Sequence, residues 1–225
     1  MTIGFRIVPR TRRVDAATIE KYRTLPVANV SDVMSRMTAG GPALRPLHAS
    51  GQMSGAAFTV KTRPGDNLML HKALLMAEPG DVIVVDAGGD LTNALVGEMM
   101  LSHAMMVGVT GVVINGAVRD YGWIKAGNFP VFAAGITHRG PYKDGPGEIN
   151  VPISFGGMVI EPGDLIIGDD DGLLCVPYDR TEELYAQAKA KNEAEAKTVA
   201  NTLAGKLDPK LWVEESLKRL GCEGL

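Results

Sequence analysis

Cysteine is nearly absent. Cys175 and Cys222 are the two among 225 residues. Two thiols are too few for a disulfide scaffold or a cysteine-based zinc site, and they fit a reducing compartment. Aromatic residues make up only 5% of the chain. No apolar run nears the ~20 residues that a membrane helix needs. The longest, such as Val82–Val85 and Val112–Ile114, have strand length. The opening MTIGFRIVPRTRR carries no apolar stretch ahead of a cleavage site. These absences together predict a cytoplasmic protein without a membrane partner. Positive charge is not in excess either. The net charge of −3 and pI near 5.8 leave no footprint for nucleic acid. The four histidines, His48, His71, His103 and His138, show no metal-ligand spacing.

Glycine, by contrast, is abundant, at 27 of 225 residues or 12%, against a usual ~7%. That content predicts many tight turns and close backbone approaches. The apolar fraction of 45% and charged fraction of 22% suit a globular protein. The length suits one α/β domain over residues 1–205, followed by a helical tail at 206–225.

The hydrophobic spacing predicts the following order. Residues 1–15 are basic and irregular. Helices fall at about 16–23 and 30–37, the second capped by Asn29 or Ser31. Residues 39–56 read as loop. A strand follows at Phe58–Thr62 and a helix at Asp66–Ala77. Asp81–Asp86 and Gly111–Asn115 do not alternate, so they read as strands buried on both faces. Leu91–Val107 has helical spacing, with a start at Gly97 if 87–96 is loop. Short strands are expected at 131–134, 151–154, 157–160, 164–167 and 173–176. A long helix at 179–204 opens with capping-box spacing at Asp179 and Glu182 and stops at Gly205. Weaker helical spacing returns around Leu211–Leu220.

Two segments carry chemistry. VVDAGGDLTNALVGEMM and GVVINGAVRDYGW each run an apolar strand into small residues and then a helix start. Open α/β sheets place ligands at such strand ends. Gly97-Glu98-Met99-Met100 would expose free backbone N–H groups to a carboxylate or phosphate. Arg119 offers a planar fork to a carboxylate. Asp120 offers oxygen to a hard divalent cation. Read structurally instead, DAGGD is a turn and the Arg-Asp pair is a surface feature. No Gly-x-Gly-x-x-Gly loop accompanies them, so a dinucleotide or methyl-donor site lacks support.

Twenty residues lie between Glu98 and Arg119-Asp120. With this acid-x20-Arg-Asp arrangement the sequence resembles the class II pyruvate aldolases acting on 4-hydroxy-4-methyl-2-oxoglutarate and 4-carboxy-4-hydroxy-2-oxoadipate. Those share a fold with the regulator of ribonuclease E activity A (RraA). The resemblance spans about residues 25–200 and is densest in GDVIVVDAGGDLTNALVGEMM, GVVINGAVRD and the stretch from His138 to Pro177. It implies a layered α-β-β-α sandwich of the RraA-like, swivelling β/β/α type. It further implies a lyase that uses Mg²⁺ or Mn²⁺ on a small 2-oxo acid, in a homotrimer or homohexamer. Asp120 matches the direct metal ligand and Arg119 the residue that holds substrate. Gly97 belongs to the substrate-binding turn, where the Met99 and Met100 amides match the donors to the pyruvyl carboxylate. Glu98 matches the acid that orients metal-bound water. A glutamate from a neighbouring subunit's C-terminal helix is also implied, with Glu193 and Glu195 both candidates. Oxaloacetate decarboxylation follows as a side activity, because it yields the same enolate.

Other features have competing readings. Lys72, in an apolar helix, is the candidate for a Schiff-base aldolase, although a packed lysine stem explains it as well. His103 reads as a packing residue. Asp169-Asp170-Asp171-Gly172 reads as a hairpin turn rather than a cation loop. The methionines at 99, 100, 105 and 106 read as core or interface packing. The Tyr142–Gly147 turn reads as a loop, a lid or a subunit contact, with Arg139 nearby as a second carboxylate contact. A non-enzymatic regulator that binds a ribonuclease is the rival function. A quinone-pathway methyltransferase is disfavoured by the missing nucleotide loop.

Overall fold

The computed structural model describes residues 3–38 and 40–224. The chain runs through β1 (Phe5–Ile7), α1 (Ala16–Tyr22), α2 (Val27–Val33), β2 (Arg45–Pro46) and β3 (Met53–Thr62). It continues with α3 (Leu68–Leu74), β4 (Asp81–Asp86), β5 (Ala94–Val96), α4 (Glu98–Met106), β6 (Gly111–Val118), α5 (Tyr121–Ala126) and β7 (Val131–Ile136). Short strands follow: β8 (Gly147–Ile149), β9 (Ile153–Phe155), β10 (Met158–Ile160), β11 (Leu165–Asp169) and β12 (Gly172–Val176). The helices α6 (Thr181–Leu203) and α7 (Leu211–Leu220) close the described chain.

Strands β3, β4, β6 and β7 are parallel neighbours, as the alternation of strands and helices requires. β3 also pairs antiparallel with β11, which pairs with β12. One long strand therefore joins two parts of the sheet, and three cores result. Ile83 and Val85 point into a core with Leu70 and Leu101 of α3 and α4. Val82 and Val84 point the other way, onto Ile166, Cys175 and the β9–β10 pair. The outer residues of β11 and β12, Leu165, Ile167, Leu174 and Val176, meet α1, α2 and α6. The order is helices, strands, strands, helices, the α-β-β-α layering expected. β4 is apolar on both faces because both faces are covered. Asp81, at its start, is fully buried against Arg10 (2.7 Å) and Arg13 (3.0 Å), which ties the amino-terminal segment to the sheet.

Several boundaries differ from the sequence reading for physical reasons. α2 begins directly after Pro26, whose fixed φ suits the edge of a helix. It ends by Val33, because Ser35 and Arg36 take positive φ. Neither Asn29 nor Ser31 caps it. The expected loop at 39–56 contains β2 and the first half of β3. Ser54-Gly55-Ala56-Ala57 looks like loop but is a crowded strand. A Cβ at Gly55 would lie 2.7 Å from Gly80 O and 2.8 Å from Val82 Cγ2. β1 lies in the segment expected to be irregular, and β5 in the expected loop at 87–96. The expected strand at 151–154 resolves into β8 and β9, which flank Asn150 at positive φ. The capping box is not formed. Tyr178–Arg180 is a 3₁₀ turn, and the first helical residue of α6 is Thr181. Gly205 does follow the helix end at positive φ. The Asp169–Gly172 segment is a hairpin turn, with Arg45 bonded to the Asp170 and Asp171 carbonyls. Both cysteines are free thiols. Among the described residues, no helix is long and apolar enough to cross a membrane.

Candidate active site

The ends of β5 and β6 bring the two chemistry-bearing segments together. Gly97 is the N-cap of α4 and Asp120 the N-cap of α5. Asp120 adopts the left-handed conformation (φ +57°, ψ +37°), which Asp tolerates better than most residues. Its carboxylate does not cap its own helix. Instead Oδ2 accepts from Glu98 N at 2.9 Å, the first free amide of α4. The Arg119 amide is fixed by Val96 O at 2.9 Å. Its guanidinium Nε lies 3.8 Å from Asp120 Oδ2. Both side chains are open to solvent, at 45% and 42% exposure.

Gly97 has no room for a side chain. A Cβ there would overlap Asp120 Oδ2 and lie 2.8 Å from Arg119 Cγ. Glycine at this position lets the α4 turn approach the Arg-Asp pair. The next amides divide. Met100 N donates to Gly97 O at 3.1 Å, whereas Met99 N has no acceptor among the described residues. Met99 N is therefore the open donor for an anion, reinforced by the positive end of α4. The DAGGD segment closes on itself. Asp86 Oδ1 accepts from Gly88 N at 3.0 Å and Asn115 Nδ2 at 2.9 Å.

A cleft of about 300 Å³ opens beside Gly97, Met99, Met100 and Arg119. Its remaining polar side chains are Asn67, His71 and Lys143. No acidic residue lines it. A second cleft, of about 270 Å³, shares Arg119 and is lined by Asp120, Thr137 and His138. Arg119 thus stands between a cleft lined by no acid and the carboxylate of Asp120. A larger groove of about 710 Å³ lies elsewhere, between β1 and Lys61–Arg63. Its carboxylate, Glu148, is bound to Arg6 at 2.7 Å.

Residues around the cleft were missed in the sequence because their role depends on distant partners. Asp66 is fully buried. Its Oδ2 accepts from Asp144 N (2.7 Å), Gly145 N (2.8 Å) and Arg63 Nη2 (3.1 Å), and its Oδ1 from Leu68 N (2.9 Å). The other side of the same loop is held where Asn93 Nδ2 donates to Gly140 O and Ala94 N to Arg139 O. Asn67 is 2% exposed and donates to Leu95 O (2.8 Å) and Met100 Sδ (3.4 Å). Its Oδ1 is buried without a partner. A buried acceptor left unpaired costs ~1–3 kcal/mol, which a donor on a bound ligand would remove. Burial first, then the charges of Lys143 and His103, lower the pKa of His71. His71 is therefore a neutral lining group at neutral pH.

The remaining candidates separate. Glu98 is exposed at the first turn of α4. Arg139 is exposed and lines neither cleft; Lys143, from the same loop, does line the first. Lys72 is exposed and lines neither cleft. His103 is exposed rather than packed. Of the methionines at 99, 100, 105 and 106, Met100 is buried, whereas Met99, Met105 and Met106 face outward. Glu195 accepts from Asn29 Nδ2 at 2.6 Å and pairs with Lys191 at 2.7 Å, which lowers its pKa. Glu193 is exposed, 3.9 Å from Lys189. Neither glutamate lines either of these two clefts.

The donor set fits a hard divalent cation. Among the described residues, no three His, Cys, Asp or Glu side chains form a cage. One carboxylate with an anchored oxygen and an exposed face suits Mg²⁺, which keeps most of its water shell. It does not suit zinc, which takes three or four protein ligands.

The RraA-like family, described as Aldolase/RraA, matches residues 27–175. A protein of Halalkalibacterium halodurans named "Putative 4-hydroxy-4-methyl-2-oxoglutarate aldolase" is 42% identical over 188 residues, covering 82% of this chain and 90% of that one. Among solved structures, an uncharacterised Pseudomonas syringae protein superposes with a TM-score of 0.78 at 25% identity. The match covers 88% of this chain and 93% of that one. The RNA-processing inhibitor RraA of Thermus thermophilis superposes with a TM-score of 0.63 at 30% identity, over 68% and 92%.

Proposed function

The chain belongs to the RraA-like (Aldolase/RraA) family, and from that membership we propose that it is a divalent-metal-dependent lyase. The reaction splits a 4-hydroxy-2-oxo acid into pyruvate and a second oxo acid. One observation carries this reading: the Glu98 amide bonds Asp120, which fixes a metal-competent carboxylate beside Arg119 at the mouth of a cleft without acids.

The substrate carboxylate binds the Met99 amide and the Arg119 guanidinium. Asp120 would hold Mg²⁺ or Mn²⁺, with Glu98 at the same helix start. When bound, the cation supplies Lewis-acid stabilisation to the 2-oxo oxygen. The C4 hydroxyl gives up its proton to water in the solvent-open site, and a carbonyl forms at C4. The C3–C4 bond breaks, and its electron pair passes into the enolate of pyruvate. Arg119 stabilises the developing negative charge. A proton then returns to C3, giving the methyl group. Loss of CO₂ from oxaloacetate produces the same enolate and is the expected side activity. The proposal includes a trimeric or hexameric assembly in which Glu193 or Glu195 of α6 reaches a neighbouring copy's site.

The test is a coupled pyruvate-release assay over a panel of 4-hydroxy-2-oxo acids and oxaloacetate, with and without chelator. Release that stops with chelator supports the reading. Release that persists with chelator contradicts it and returns attention to Lys72.

Likeness to the Thermus RNA-processing inhibitor favours a second reading, a regulator that binds a ribonuclease. It predicts no metal-dependent turnover and a direct complex with a ribonuclease.

A further inference from the structure

We infer that Lys143 is a specificity-determining residue, the group that receives the second carboxylate of a dianionic 2-oxo acid. The inference rests on the proposed function of the cleft and deepens it. The cleft is lined by two residues that are cationic at neutral pH, Arg119 and Lys143, and by no acid. They come from different parts of the fold, the end of β6 and the loop after β7. The lysine ion pairs among the described residues belong to Lys21, Lys189 and Lys191. Among the described residues of its own chain, Lys143 is paired with no carboxylate.

Lys143 is also placed, not loose. The loop that carries it is held on one side by Asp66, through the amides of the next two residues. It is held on the other by Asn93 and Ala94. The loop runs along the arginine, since a Cβ at Gly140 would lie 3.5 Å from Arg119 Nη1. Beside burial, the Lys143 charge lowers the pKa of His71, which lines the same cleft. One anionic group satisfies Arg119 and the Met99 amide. A monoanion then leaves Lys143 unpaired in the cleft, whereas a dianion pairs both cations. A lysine suits this role because its point charge reads the charge of a distal group without demanding a planar fork.

The experiment compares binding of two non-cleaved probes in Mg²⁺ buffer by calorimetry. The probes are 2-oxoglutarate, a dianion, and 2-oxopentanoate, a monoanion of equal chain length. Wild type is expected to prefer the dianion by about 10- to 100-fold, the range of a charged hydrogen bond. Lys143→Gln is expected to reduce that preference to about twofold, with monoanion binding unchanged, while Lys143→Arg retains most of it. Lys143 is exposed, so a thermal melt of Lys143→Gln should match wild type. A preference that survives in Lys143→Gln, or is absent in wild type, overturns the inference. A lysine-dependent preference without pyruvate release from any 4-hydroxy-2-oxo acid supports it and removes the aldolase reading alone.

Discussion

Two aspartates at helix starts on the same rim of the sheet have opposite circumstances. Asp66 precedes α3 and Asp120 precedes α5, and each accepts a backbone N–H from the start of a helix. Asp66 is fully buried, with four donors on its two oxygens. Asp120 is 42% exposed, with one amide bonded and one guanidinium nearby. A saturated carboxylate holds structure, because its lone pairs have nothing left to give. An unsaturated one, anchored at one oxygen and open at the other, can take a ligand. Residue type is shared, so burial and partners separate the two roles.

The contrast predicts a division of effects. Asp120→Ala should have the largest effect, lowering metal-dependent kcat by ~10³-fold or more, with little change in Tm. Steady-state kinetics beside a thermal melt would check it. Arg119→Ala should follow, losing ~10²- to 10³-fold in kcat/KM. Arg119→Lys should not restore the loss, because lysine lacks the planar fork. Asp66→Ala should reverse the pattern. It strands a buried network and should cost ~3 kcal/mol of folding stability. A chain of this size then melts ~6–12 °C lower. A Tm for Asp66→Ala equal to wild type would break the comparison.

The smallest effect concerns pH. The pKa of His71 is lowered in the folded protein, mainly by burial. The unfolded chain therefore binds more protons just below ~6.5, its ordinary value. The stability linked to neutral His71 is present above that pH. It is lost as pH falls from there through the folded value. The melting temperature of wild type should drop slightly more than that of His71→Asn between pH 7.5 and 5.

Much of the site was legible in the sequence, for a physical reason. An apolar strand that runs into glycine and then a helix start is a local signal, and both chemistry-bearing segments carry it. Gly97, Glu98 and the Arg119-Asp120 pair stand out for that reason. Asp66, Asn67 and Lys143 were not legible. The bonds of Asp66 to Asp144 and Gly145 span 78 and 79 residues, and no local pattern announces them. The small residues of β3 hid a central strand in the same way, because its demand for small side chains comes from Gly80 and Val82. Nor did the sequence show that Glu195, one of two candidates for a neighbouring site, meets Asn29 in its own chain.

The most direct test of Asp120 as the metal-competent carboxylate is pyruvate release from 4-hydroxy-4-methyl-2-oxoglutarate as Mg²⁺ is titrated, for wild type and Asp120→Asn. The account predicts Mg²⁺-dependent release by wild type and none by Asp120→Asn, at equal Tm. Equal release by both proteins, or release by wild type that ignores Mg²⁺, would contradict it.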